Sequence, residues 1–174
     1  MLNKIFIDLD ETLISGSPSS RNPIDCDFTI ALEYSGVYDI KVRPSALDVI
    51  KLARSYVGLE NVYILTIASR DYATKVSTSA CFDFPPENII PREDIHQATF
   101  KTAYDGRNYG TNTKILHSDN VLIDNLPSRL NEQKMIYIGI KPDRYLNITS
   151  YYGTNFENDN FYSSVEEFLL QKSK

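Results

Sequence analysis

The stretch that decides the fold is Lys4-Ile5-Phe6-Ile7-Asp8-Leu9-Asp10-Glu11-Thr12-Leu13. Apolar residues follow one another without alternation and then give way to acids. Such a run suits a strand buried on both faces of a parallel sheet, with its polar groups beyond the carboxyl end. Residues i and i+2 of an extended segment point the same way, so Asp8 and Asp10 share one site. Taken alone, the pair reads equally well as acids capping a turn.

Working outward, residues 15–26 are rich in Ser, Pro and Asn and read as loop. Two strand-like runs, 27–33 and 37–42, flank Tyr34-Ser35-Gly36 and predict a β-hairpin. Pro44 opens a helix to about residue 58, with Leu47, Ile50, Ala53, Arg54 and Val57 on one face and Gly58 ending it. Residues 62–68 form a second buried strand. A helix over 69–80 follows, with Ser69 as N-cap and Asp71 in its first turn.

From Phe82 to Thr113 periodicity fades, which predicts an irregular insertion with short strands at 88–91 and 98–103. A short helix at 113–117 leads to a third strand at 120–124, then a short helix at 127–133 and a fourth strand at 135–140. Residues 141–160 are polar, aromatic and irregular. A last helix starts near Ser163, with Glu166 completing a capping box, and buries Val165, Phe168 and Leu169.

Strands alternating with helices predict an α/β class fold with a mainly parallel sheet flanked by helices. The 174 residues fit one domain, 1–174, with a hairpin insert at about 15–43 and an irregular insert at about 82–112. Ligands of such folds bind beyond the carboxyl ends of the strands. The acids of the first strand, Thr66 after the second and Asp124-Asn125 after the third all reach that edge.

Composition narrows the function. Hydrophobic residues make up 42% and charged residues 24%, as in ordinary globular domains. A net charge of −5 argues against a broad nucleic-acid-binding surface, which needs a basic field. Cys26 and Cys81 lack CxxC spacing and read as reduced thiols. His96 and His117 stand alone, which argues against zinc. No apolar run reaches the roughly 20 residues of a membrane span, so a cytoplasmic protein is expected, with no membrane partner.

Paired carboxylates at one site suit hydrolysis of a phosphate ester. One attacks phosphorus and forms an acyl-phosphate; the other protonates the leaving oxygen and then activates water. Asp8 and Asp10 fit those roles in that order.

The run Ile5 to Leu13 resembles the signature DxDxT, followed by Leu or Val, of the haloacid dehalogenase-like superfamily. Its second motif, Ser or Thr ending the next strand, is matched by Ile64-Leu65-Thr66. Its lysine is matched by Lys114. Its acidic pair is matched by Val121-Leu122-Ile123-Asp124-Asn125, with Asn in place of the second acid. The resemblance implies a catalytic set of Asp8, Asp10, Thr66 and Lys114. It implies Mg²⁺ held by the Asp8 carboxylate, the Asp10 main-chain carbonyl and Asn125, with Asp124 behind it or acting through water. Thr66, Ile67 and Lys114 would contact the substrate. Arg43 and Arg70 are further candidates, each equally readable as an ordinary surface or helix-start arginine. The tyrosines at 145, 151, 152 and 162 are read as packing residues.

Two branches resemble the chain. Phosphatases of the RNA polymerase C-terminal domain share DLDETL, Arg43-Pro44, Tyr72-Ala73 and Ile123-Asp124-Asn125 with Pro127. The 5′-deoxyribonucleotidase branch carries its lysine closer to the acidic pair, as Lys114 stands here. The first branch usually carries it further upstream, near Arg107-Asn108, where this chain has no lysine. Lys101 is the alternative there, and Lys75 lies too early. The substrates implied are a phosphorylated protein, a nucleotide or a nucleic-acid end. The competing reading is a catalytically inactive binding or scaffold module, which the presence of both acids disfavours. Asp10 argues against dehalogenase chemistry. Neither the stretch from Asp10 to Thr66 nor that from Thr66 to Lys114 has room for a large cap domain.

Overall fold

The structure is a computed structural model that describes residues 2–20, 25–95, 119–127, 134–135, 138–153 and 159–174. Its centre is β1 (Ile5–Ile7), in which all three side chains are fully buried. Flanking it are β5 (Val62–Leu65) and β7 (Val121–Asp124), paired in parallel with Ile7 opposite both Ile64 and Ile123. The two-residue strand β6 (Ile89–Ile90) and the strand β8 (Tyr145–Asn147) complete the sheet in the order β6-β5-β1-β7-β8, every pairing parallel.

Alternation along these strands feeds two cores. Ile5, Ile7, Val62, Ile64, Val121 and Ile123 pack into one, against helices α1 (Ala46–Val57), α2 (Arg70–Ser79) and α3 (Phe161–Ser173). Phe6, Leu65 and Leu122 face the other, with Ile95, Ile138 and Ile140. Because both faces are covered, the strands read as unbroken apolar runs. The chain runs from β1 to β5 on one side and returns to β7 on the other. The crevice between these directions opens at the carboxyl end of β1, where such sheets bind ligands.

Between β1 and α1 lies a separate antiparallel sheet. Its order is β2-β4-β3, from β2 (Ile14–Pro18), β3 (Phe28–Leu32) and β4 (Gly36–Val42). The hairpin β3-β4 is as its sequence predicts. The reading of 15–26 as loop is corrected by β2, whose residues pair from Ile14 opposite Val42 to Pro18 opposite Tyr38. Its polar composition is that of an edge strand, and its proline stands at its end.

The helices start and stop on their expected signals. Ser69 Oγ accepts from Tyr72 N at 3.4 Å, capping α2. Gly58, at φ +85°, closes α1 by donating its N–H to Arg54 O at 2.9 Å. The buried face of α1 is Ala46, Val49, Ile50 and Ala53, so Leu47 lies on the exposed side.

Two other expectations are corrected. Lys134, Met135 and Ile138 are helical, so residues 135–140 do not form the fourth parallel strand. That strand is β8, inside the segment expected to be irregular. The last helix starts at Phe161 and buries Val165, Phe168 and Leu169 as expected, but not through a Ser163–Glu166 box. Instead Ser163 Oγ donates back to Asn160 O at 3.0 Å. The strand expected at 98–103, the helix at 113–117 and most of the helix at 127–133 lie outside the described residues. Among the described residues no helix is long and apolar enough to cross a membrane.

Candidate active site

β1 delivers Asp8 to the crevice, where its main-chain N–H donates to Ile123 O at 2.9 Å. The carboxylate is buried and each oxygen has a partner. Oδ1 accepts from Lys134 Nζ at 2.7 Å, and Oδ2 from Thr12 Oγ1 at 3.2 Å. Thr12 reaches back because the chain turns sharply after Asp10. Glu11 takes a left-handed φ of 58°, and Leu13 N donates to Leu9 O at 2.9 Å.

Asp124, the last residue of β7, is wholly buried beside Asp8. Its Oδ2 accepts from Lys134 Nζ at 2.6 Å and its Oδ1 from Leu126 N at 2.9 Å. One ammonium therefore serves two buried carboxylates. Burial works against the Lys134 charge, but Asp8 and Asp124 outweigh it and raise its pKa. For Asp8 the balance is reversed. Burial pushes its carboxyl up to about 7 against the pull of Lys134, with Asp124 and Asp10 adding to the rise. Once Asp8 is ionised, two buried carboxylates face one ammonium, and surplus negative charge away from water is costly.

Asn125 lies next to this cluster. Its Nδ2 donates to Glu11 Oε2 and to Ser150 Oγ, both at 3.0 Å. Those partners turn the amide oxygen inward, to 3.3 Å from Thr12 Oγ1. The Thr12 hydroxyl has one proton for two acceptors, Asp8 Oδ2 and Asn125 Oδ1. The loop bearing Asp124 and Asn125 is tied down from β8. Asn147 Nδ2 donates to Asn125 O and Leu126 O at 2.8 Å each, and Tyr145 Oη donates to Leu126 O.

Asp10 stands on the other side of Asp8, half-buried. Its Oδ1 accepts from Tyr72 Oη at 2.7 Å. Burial raises its pKa against this hydrogen bond and against Lys134. Thr66 directly follows β5 and is fully buried. Its Oγ1 accepts from Ala68 N at 3.0 Å, which orients the hydroxyl, and no described residue accepts its proton. Ile67, next in the chain, is 59% exposed.

The other site candidates fall into place unevenly. Arg43 is 1% exposed. Its guanidinium is paired with Asp159 at 2.7 and 2.8 Å, donates to Thr12 O and Thr149 O at 3.2 Å, and stacks 4.2 Å over the Phe161 ring. It welds the loop after β1 to the start of α3, and its ionic partner is Asp159. Arg70 is held on the surface by Asp94 at 2.6 Å and by Ile89 O at 3.3 Å. Lys114 and Lys101 lie outside the described residues. The lysine that does contact Asp8, Lys134, is absent from the sequence reading, which sought a lysine upstream of Asp124. Its one sequence signal is a cation on the flank of an apolar run, Met135 to Ile140.

The donor set fits a hard divalent cation. Among the described residues no three His, Cys, Asp or Glu side chains form a ready ligand group. A site here would draw on oxygen donors of mixed kind: the Asp8 carboxylate, the Asp10 main-chain carbonyl and the inward-turned amide oxygen of Asn125. Asp124, like Asp8, has both oxygens engaged by hydrogen bonds. Oxygen-only donors suit Mg²⁺, and a cation would answer both the buried negative charge and the surplus acceptor at Thr12.

Comparison with known proteins gives the family and the fold. Residues 3–173 match the family model of the NLI interacting factor-like phosphatases. No curated protein sequence matches the chain. Among solved structures the fold is similar to a variant of the fission yeast RNA polymerase II CTD phosphatase Fcp1 bound to beryllium fluoride. That match has a TM-score of 0.54 and 16% identity, and covers 99% of this chain and 52% of the other. A second structure, described as Fcp1, an essential RNA polymerase II CTD phosphatase, gives a TM-score of 0.53 at 16% identity, covering 99% of this chain and 50% of the other. The chain thus spans about half the length of the structures it matches. It belongs to the NLI interacting factor-like phosphatases, a haloacid dehalogenase-like family.

Proposed function

We propose that the chain is a Mg²⁺-dependent phosphoprotein phosphatase that works through an aspartyl-phosphate on Asp8. The observation that carries this reading is the contact of Lys134 with both Asp8 and Asp124 at the carboxyl end of β1. An anionic nucleophile cannot approach a phosphate dianion without positive charge beside it, and the ammonium is already in position to supply it.

In the first half-reaction a carboxylate oxygen of Asp8 attacks phosphorus and the ester P–O bond breaks. Asp10 gives its proton to the departing oxygen. In the second, Asp10, now a carboxylate, takes a proton from water as the water attacks phosphorus. The bond to Asp8 breaks, inorganic phosphate leaves and both acids return to their starting states. The raised pKa of Asp10 suits the acid half of this cycle. The Thr66 hydroxyl, whose proton no described residue accepts, would donate to a phosphoryl oxygen. Asp8, the Asp10 carbonyl and Asn125 would hold Mg²⁺. When bound, the ion neutralises phosphate charge and fixes its orientation.

A phosphorylated protein is favoured as substrate over a nucleotide or nucleic-acid end by the family and by the absence, among the described residues, of a large cap over the crevice. The test is turnover of phosphoserine and phosphothreonine peptides against nucleoside monophosphates and 5′-phosphorylated oligonucleotides, with Mg²⁺ and with EDTA. Hydrolysis of nucleotides alone would overturn the substrate assignment. An inactive scaffold would hydrolyse none of them.

A further inference from the structure

Asp10 is held from outside the strand that carries it. Tyr72 stands in the first turn of α2, is 7% exposed and donates its hydroxyl to Asp10 Oδ1 at 2.7 Å. Its ring is wedged edge-on against Tyr38 of β4, with centroids 5.6 Å apart and planes at 76°. A phenol packed this way has little freedom to leave the carboxylate. The hydroxyl fits because Gly16 of β2 has no side chain. A Cβ there would lie 2.2 Å from Tyr72 Oη, 3.3 Å from Ile40 Cδ1 and 3.5 Å from Asp10 Oδ1. The backbone of Gly16 is not left-handed, so its glycine answers a need for space, not for conformation. Strands β2 and β4 and helix α2 therefore converge on one oxygen of Asp10. The other oxygen, Oδ2, has no hydrogen-bond partner among the described residues.

We propose that Tyr72 is a positioning residue. It fixes Asp10 through Oδ1 so that Oδ2 faces the reaction with the transferable proton, and Gly16 keeps the space that this contact needs. The inference rests on the reading of Asp10 as general acid. It adds that the small antiparallel sheet, besides flanking the crevice, sets the geometry of proton transfer.

A general acid matters most when the leaving group is a poor one. An alkoxide from phosphoserine must be protonated as it departs, whereas p-nitrophenolate departs without help. The measurement is kcat/KM, which reports phosphoryl transfer to the enzyme, for a phosphoserine peptide and for p-nitrophenyl phosphate. The variants are Tyr72→Phe, Gly16→Ala, the two combined, and Asp10→Asn as reference, with folding checked by circular dichroism. Tyr72→Phe should lose on the order of tenfold more on the peptide than on the aryl ester. Equal losses on both substrates, or no loss, would overturn the proposal, since a purely structural defect does not depend on the leaving group. Gly16→Ala should show the same selectivity, and should cost little more once Tyr72→Phe is in place, because both act on one contact. Additive costs would remove Gly16 from the scheme. Where Gly16→Ala does not fold, Tyr72→Phe alone decides. If Asp10→Asn is selective and Tyr72→Phe is not, only the positioning role fails. If Asp10→Asn is itself unselective, the general-acid reading fails and the inference with it.

Discussion

Lys134 Nζ donates to Asp8 Oδ1 at 2.7 Å across 126 positions of sequence. The same ammonium holds Asp124 at 2.6 Å, so the partner that neutralises the proposed nucleophile also ties it to the neighbouring strand. Removing it leaves two buried carboxylates with no cation among the described residues. Lys134→Ala should lower kcat by on the order of 10²–10³, the scale of one preorganised charge-stabilising donor. It should also lower stability in urea by about 3–5 kcal/mol, as for other broken buried pairs. Lys114→Ala and Lys101→Ala should leave kcat within a factor of about two of the parent, because Lys134 already supplies the charge beside Asp8. A large loss in either, with Lys134→Ala active, would contradict this assignment.

Arg43 gives the opposite profile. Its guanidinium is buried against Asp159, Thr12 O and Thr149 O. Arg43→Ala should destabilise the fold by about 3–5 kcal/mol while KM for a phosphopeptide stays near that of the parent in the protein that folds. The pairing holds Asp159 below the usual carboxylate range against its burial. Its stabilisation is therefore present above the ordinary Asp value and lost as pH falls. A rise in KM with unchanged unfolding would make Arg43 a substrate ligand instead.

The metal assignment has a pH signature. Without a cation, burial holds the Asp8 carboxyl up to about 7, while the unfolded chain releases that proton at the ordinary Asp value. Between those two values the folded state binds the extra proton, so this stabilisation is lost as pH rises through about 7. A bound cation favours the ionised form. Mg²⁺ should thus raise the unfolding temperature more at pH 8 than at pH 5, and EDTA should abolish both that shift and turnover. Full activity in excess EDTA would end the metal assignment.

Asn125 depends on Glu11 for its orientation, because Glu11 Oε2 accepts from the amide Nδ2. Glu11→Leu removes that acceptor and frees the amide to turn its oxygen away. The Mg²⁺ concentration for half-maximal activity should rise about 10–100-fold, as for other residues that orient a metal ligand. An unchanged titration would exclude Asn125 or its orientation from the site.

The sheet and the site's scaffold were legible because short-range chemistry writes them. Unbroken apolar runs marked β1, β5 and β7, and each ended in the polar residues that meet at the crevice: Asp8, Thr66 and Asp124-Asn125. Ser69 and Gly58 marked helix ends through local hydrogen bonds. What escaped depends on tertiary partners. β2 is polar because it lies at the edge of its sheet, and only its pairing with β4 makes it a strand. Met135 to Ile140 is apolar enough for a strand, but Ile138 and Ile140 instead serve the second core beside Phe6 and Leu122. Lys134 has no local pattern that separates it from a surface lysine. Arg43 and Tyr72 were visible as residue types, but their partners, Asp159 and Asp10, lie 116 and 62 positions away.

The central claim is that phosphate passes through Asp8. The most direct measurement is to quench the enzyme with acid during turnover of a phosphopeptide, reduce with borohydride and sequence by mass spectrometry. Borohydride converts an aspartyl-phosphate to homoserine. The account predicts homoserine at position 8, dependent on substrate and absent from Asp8→Asn, which should also be inactive though folded. Turnover with no modification at position 8, or with the mark on another carboxylate, would contradict it.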